Sequence, residues 1–147
     1  MTFIPNATQP KIVERSAAVI PATTATAYFT ITGRVLITQI VGEVTTVMDG
    51  TVNSLKLIAN PTVGADVDLC TATVITSDAE GTIYNITGTV SDALVSTTSG
   101  AVISQASAVV VTAGTIDLDA TATDTSGATK WTVHYIAIDS GSKVVVA

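Results

Sequence analysis

Two pairs of aspartates, Asp66 with Asp68 and Asp117 with Asp119, are the residues whose spacing first suggests chemistry. In an extended strand a separation of two puts both carboxylates on one face. Clustered carboxylate oxygens suit a hard cation such as calcium, and paired carboxylates are also what a glycoside hydrolase needs. The solvent-facing side of an antiparallel strand gives the same pattern without any chemistry. His134 is the single histidine, in a strand-like run. A general base needs a positioned partner, and nothing near it in sequence supplies one, so a packed or interface histidine is expected. Cys70 is the single cysteine; it reads as a buried, inert thiol. One Cys with one His cannot make a structural zinc site. No glycine-rich phosphate loop or zincin motif occurs. Asn6-Ala7-Thr8 and Asn85-Ile86-Thr87 fit the glycosylation pattern, but no secretory signal is visible. The expectation is a protein with no catalytic residues, no cofactor and no metal, the calcium question at the aspartate pairs staying open.

The elements that would position these residues are strands. Charged residues make up only 12% of the chain, and the hydrophobic fraction of 47% contains few aromatics, 4%. Thr, Val and Ile fill the difference: 27, 20 and 14 residues, 61 of 147 positions. These β-branched side chains suit a pleated surface better than a helix. Six basic residues are thinly spread in a chain of net charge −6. Nucleic acid and anionic membrane surfaces both require clustered positive charge, so neither is an expected partner. The mean hydropathy of +0.55 raises the question of a membrane span. The charge-free stretch 93–116 is long enough, but Ser, Thr, Gln and Gly run through it, unlike a spanning helix. One free cysteine fits synthesis in a reducing cytoplasm. A low-charge, apolar surface is a solubility liability for a free monomer unless subunit contacts cover it.

Along the chain, residues 1–27 hold Pro5, Pro10 and Pro21 and read as an extended N-terminal arm. Phe3, Ile4, Ile12, Val13 and Ile20 make that arm too apolar for a solvated tail, so it should pack on its own domain or on a neighbour. Residues 28–147 read as one β-domain. "YFTITGRVLITQIVGEVTT" is one long strand or two with a kink at Gly33. "NSLKLIAN", "DVDLCTATVIT", "IYNITGTV", "TIDLDATAT" and "KWTVHYIAID" follow as strands. "SDALVSTTSG" has the cap residues for a single helical turn, and "SAVVVTAG" reads as an interior strand. Eight or nine strands at regular spacing indicate an all-β fold: an antiparallel β-sandwich, jelly-roll-like, or a β-barrel.

The stretches "VERSAAVIPATTATAYFTITGRVLITQIVGEVTT", "LKLIANPTVGADVDLC" and "GTIDLDATATDTSGATKWTVHYIAIDSGSKVVVA" together resemble small proteins encoded in the structural modules of tailed bacteriophages. The likeness runs from about residue 12 to the end and is one of overall texture, not of a catalytic signature. It implies a virion component on the capsid exterior, made in the host cytoplasm: a capsid decoration (cement) protein partnered by the major capsid protein and by itself, as a homotrimer. A tail or fibre part, or a host-surface-binding module with Trp131 or Tyr84 exposed, is the rival. On the first reading the capsid or subunit interface is carried by Phe3, Ile4, Ile12, Val13, Ile20 and His134.

Overall fold

The structure is a computed structural model that describes residues 9–21 and 25–147. Its described residues form twelve strands: β1 (Lys11–Val19), β2 (Thr26–Thr32), β3 (Val35–Thr46), β4 (Ser54–Pro61), β5 (Val67–Asp68), β6 (Thr73–Val74), β7 (Ile83–Asn85), β8 (Val95–Thr97), β9 (Val109–Val111), β10 (Gly114–Ala120), β11 (Ala128–Ala137) and β12 (Lys143–Val146). They divide into two antiparallel sheets. Sheet one runs β1-β11-β3-β7-β8, with β9 also on β3; sheet two runs β12-β2-β10-β4-β5, with β6 also on β4. The pairings nest: β1 with β11, β2 with β10, β3 with β7 and β9, β4 with β5 and β6. The chain is thus one long hairpin rolled into two facing layers, the jelly-roll form of a sandwich. The sheets do not close into a barrel.

Alternation of apolar and polar residues sets which side of each strand faces in. On β11, Trp131, Val133 and Tyr135 are buried, while Thr132, His134 and Ile136 are half-buried on the outer side. β3 begins in the same way with Val35 and Ile37, and then its phase slips. His134 pairs with Gln39 but Tyr135 with Ile37, so Thr38 is the extra residue of a bulge. After it the inward positions become Ile40, Gly42 and Val44. Sheet two meets them with Phe29, Ile31, Leu55, Leu57, Ile116, Leu118 and Val144. Each large aliphatic or aromatic side chain buried in this way contributes about 1.5–3 kcal/mol.

Trp131 is the largest of these and needs a particular neighbour. In the row Trp131–Gly42–Tyr84 across β11, β3 and β7, the central position is a glycine. A Cβ placed on Gly42 would stand 2.7 Å from the indole. The missing side chain lets Trp131 and Tyr84 reach over it and stack, with centroids 6.1 Å apart and planes at 18°. Both polar ends are bonded: Trp131 Nε1 donates to Thr129 Oγ1 at 2.9 Å and Tyr84 Oη to Asp78 Oδ2 at 2.6 Å.

Several elements differ from the sequence reading. The stretch 91–100 holds β8, not a helical turn. Asp92 is engaged in turn bonds, its carboxylate accepting from Thr87 and its carbonyl from Thr71 N. "SAVVVTAG" is not interior: β9 spans three residues and Val110 is exposed. "DVDLCTATVIT" splits into β5 and β6 around buried Leu69 and Cys70. β2 and β3 are two strands, passed from one sheet to the other through Gly33 at φ 67°. Of the segment read as an arm, Lys11–Val19 is edge strand β1, Ile20 is a core residue with no exposed surface, and Thr26 opens β2.

The close packing of Trp131 on Gly42 yields a stability prediction. Gly42→Ala forces the new methyl into the indole and is expected to cost about 1–3 kcal/mol, in line with overpacking in dense cores. Urea unfolding followed by tryptophan fluorescence measures it; an unchanged midpoint would contradict the packing.

Candidate functional site

The aspartate pairs go to structure. Lys56 on β4 stands on the outer face of sheet two, with its Nζ 3.0 Å from both Asp68 carboxylate oxygens and 3.9 Å from Asp119 Oδ2. The Asp68 hydrogen bond is the main reason the ammonium is held more firmly protonated than usual. Asp117 turns away from this cluster and is buried. It accepts from Asn60 Nδ2 at 3.1 Å and Thr115 Oγ1 at 2.5 Å. Asp66 is exposed in the β4–β5 loop. Neither pair converges on a common point, and among the described residues no group of three or more His, Cys, Asp and Glu is placed to hold a metal ion.

Cys70 and His134 are likewise packed. Cys70 is buried, its Sγ accepts from Leu57 N at 3.4 Å, and burial pushes the thiol up to about 11, which suppresses the nucleophilic thiolate. His134 is half-buried on the outer side of β11, and its backbone oxygen accepts from Thr38 Oγ1.

The expected interface residues separate into three groups. Ile12 of β1 is directly opposite His134 of β11 and 64% exposed, so these two share the outer face of sheet one. Val13 pairs with Val133, points inward and packs against the core, and Ile20 lies fully inside it. Phe3 and Ile4 lie outside the described residues. Removing residues 1–20 would therefore strip an edge strand and a core side chain, and test folding before it tested binding.

Three features escaped the sequence reading. One is the closure of the flank where the edge strands β1 and β12 meet. Arg15 reaches across from sheet one, Nη1 donating to the backbone oxygens of Tyr28 at 3.3 Å and Ala147 at 3.0 Å, with the guanidinium 4.2 Å over the Tyr28 ring. The second is an apolar cleft of about 180 Å³ on the opposite flank, lined by Ala59, Pro61, Ala65, Val67, Val110, Val111 and Thr112. It opens between β9 of sheet one and β5 of sheet two, and neither strand has a partner on that side among the described residues. Around it Val63, Val67 and Val110 are 88%, 52% and 59% exposed. Valines inside the turn-rich stretch "NPTVGADV" were the available signal, since apolar residues grouped on a surface mark contact sites.

The third is a carboxylate pair, Asp49 and Asp124, that ties the β3–β4 loop to the β10–β11 loop. Asp49 accepts from Thr125 N, Thr125 Oγ1 and Thr51 N, each at 2.8 Å, and its own N donates to Asp124 Oδ2 at 3.0 Å. Asp124 Oδ1 in turn accepts from Ser126 N and Gly127 N. These bonds, the Thr125 backbone bond foremost, lower the Asp49 carboxyl from 3.8 to about 2.

Comparison of the chain with protein families, with curated proteins and with solved structures gave no match.

A carboxyl lowered on folding stabilises the fold above its unfolded value and loses that contribution as pH falls through the folded one. Asp49 therefore stabilises the protein above pH 3.8 and loses the effect on approach to about 2. Asp49→Asn is expected to lower stability at pH 7 and to flatten the stability curve over that acid range. Unfolding midpoints at pH 7, 4 and 2 check this; parallel curves for both proteins would contradict it.

Proposed function

We propose that this chain is a non-enzymatic structural protein of a tailed-bacteriophage virion: a capsid decoration protein that binds the outer shell and stabilises the head by bridging capsid subunits. The observation that carries the reading is where the apolar surface lies. A chain with 12% charged residues leaves Ile12 exposed on the outer face of sheet one, and Val63, Val67 and Val110 exposed around an unpaired flank. Such surfaces are what partner subunits cover. The residue types that suggested chemistry support the same reading from the other side, because Asp68, Asp117, Asp119 and Cys70 are committed to ion pairs, hydrogen bonds and packing. The resemblance of the sequence to phage structural proteins supplies the setting: the capsid exterior after synthesis in the host cytoplasm, the major capsid protein as partner, and a homotrimer as the working form.

The alternative of a tail- or fibre-associated host-binding module rests on an aromatic platform at Trp131 or Tyr84. Both rings are buried and stacked on each other, which favours the decoration reading.

Purified protein added to heads lacking a decoration protein is expected to co-sediment with them saturably and to raise their disruption temperature. Ile12→Asp alters a residue that is 64% exposed, so it is expected to fold normally. It is expected to weaken head binding about tenfold or more, the scale set by burying one aliphatic side chain. Binding to host cells in place of heads would overturn the proposal.

A further inference from the structure

We propose that the Asp49–Gly50 link is a modification site: it isomerises through a succinimide to an isoaspartyl linkage, and the β10–β11 loop suppresses the reaction by fixing the Asp49 carboxylate. This inference stands apart from the assembly reading and concerns how the fold ages.

The sequence supplies the reactive pair once. Asp49 is the single aspartate or asparagine in the chain that is followed directly by glycine. The amide nitrogen after an aspartate can attack its side-chain carboxyl, and glycine hinders that approach least because it has no Cβ. In the first step the Gly50 nitrogen forms a bond to Asp49 Cγ, and the amide hydrogen leaves with the carboxyl OH as water. In the second, water adds to the main-chain carbonyl carbon of Asp49 and breaks its bond to that nitrogen. The chain then runs through Cβ and Cγ, longer by one carbon, and the α-carboxyl is free.

The local structure does not crowd this pair. Gly50 is exposed, and a Cβ built on it meets no atom within 4 Å. The restraint comes from Thr125, 76 positions along the chain. Asp49 Oδ2 accepts from Thr125 N and Thr125 Oγ1, and Oδ1 from Thr51 N, each at 2.8 Å. The main chain of Asp49 is held as well: its N donates to Asp124 Oδ2 at 3.0 Å, and its O accepts from Ser77 N at 3.0 Å.

Ring closure requires Cγ to turn onto the Gly50 nitrogen and one carboxyl oxygen to leave as water. Both oxygens are engaged in charge-assisted hydrogen bonds, which must break before either can happen. The same bonds keep the carboxyl ionised, with its value lowered to about 2, whereas the neutral acid is the better electrophile. Isomerisation in turn moves the carboxylate off Thr125 and Thr51 and cuts the tie between the β3–β4 and β10–β11 loops. A clamp that opens long enough to react is therefore lost for good.

Isoaspartate formation in the full chain, warmed at neutral pH, tests this. Cleavage after Arg34 and Lys56 releases residues 35–56, which carry the site. An isoaspartyl methyltransferase labels the freed α-carboxyl, and fragmentation of the peptide locates it. Deamidation of Asn53 in the same peptide changes its mass, which isomerisation of Asp49 does not. Folded wild-type protein is expected to react at least about tenfold more slowly than the same chain in urea. Thr125→Val removes the hydroxyl donor at an exposed position and keeps the backbone donor. It is expected to speed the folded reaction about tenfold, the factor supplied by one hydrogen bond to a charged group. Gly50→Ala, for which there is room, is expected to remove most of the signal in urea as well. Equal rates in folded and unfolded wild-type chain, an unchanged rate in Thr125→Val, or an undiminished signal in Gly50→Ala would each overturn the proposal.

Discussion

One row of residues spans sheet one and sets the register on which the rest of the sandwich depends. Arg15, Trp131, Gly42, Tyr84 and Ser96 lie side by side across β1, β11, β3, β7 and β8. The glycine at the centre is the constraint. It is the only residue type that leaves room for the Trp131 indole to lie against β3 and meet Tyr84. A slip of one residue would carry Trp131 to the outer face and open the core, so this stack fixes the register of sheet one. The same row then reaches sheet two, since Arg15 leaves the edge strand to bond the backbone of Tyr28 and Ala147.

The two flanks of the sandwich end up unlike each other. Arg15 latches the flank where β1 meets β12. The opposite flank is zipped over part of its length by the Thr71–Ala93 bridge, with Leu94 N donating to Thr71 O and Thr73 Oγ1 to Leu94 O. Beyond that zipper, β5 and β9 part and the apolar cleft opens. Edge strands left bare are sites where another chain can add. A fold stabilised by β-branched packing needs few ion pairs in its interior, and the low charge that results leaves these edges apolar. The composition that builds the sheets thus also leaves apolar side chains on the surface.

Much of the fold was legible because period-2 patterning is strong where a strand has one buried and one open side. "TIDLDATAT" and "KWTVHYIAID" became β10 and β11 with the expected faces inward. The all-β class followed from the β-branched content, and the strand spacing left sandwich, jelly roll and barrel open. What was not legible was decided by distant partners. "SAVVVTAG" is as apolar as an interior strand, yet β9 and β7 both lie along β3 with a gap between them. Gln105 fills that gap, its Nε2 donating to the backbone oxygens of Ile37 and Ser107. No local pattern announces a side chain standing in for a strand. Ile20 looks like its apolar neighbours in an arm, yet it lies in the core. The candidate surface was half visible: Ile12 and His134 do share a face, whereas the cleft depends on Ala59 and Val110, which are brought together by topology alone.

Assembly is the claim on which this account stands, and the mass of the free full-length protein in solution tests it most directly. Light scattering across a wide concentration range is predicted to give a stable oligomer. A monomer at every concentration would contradict the account, because the exposed valines and bare strand edges would then face water with no copy of the chain to cover them.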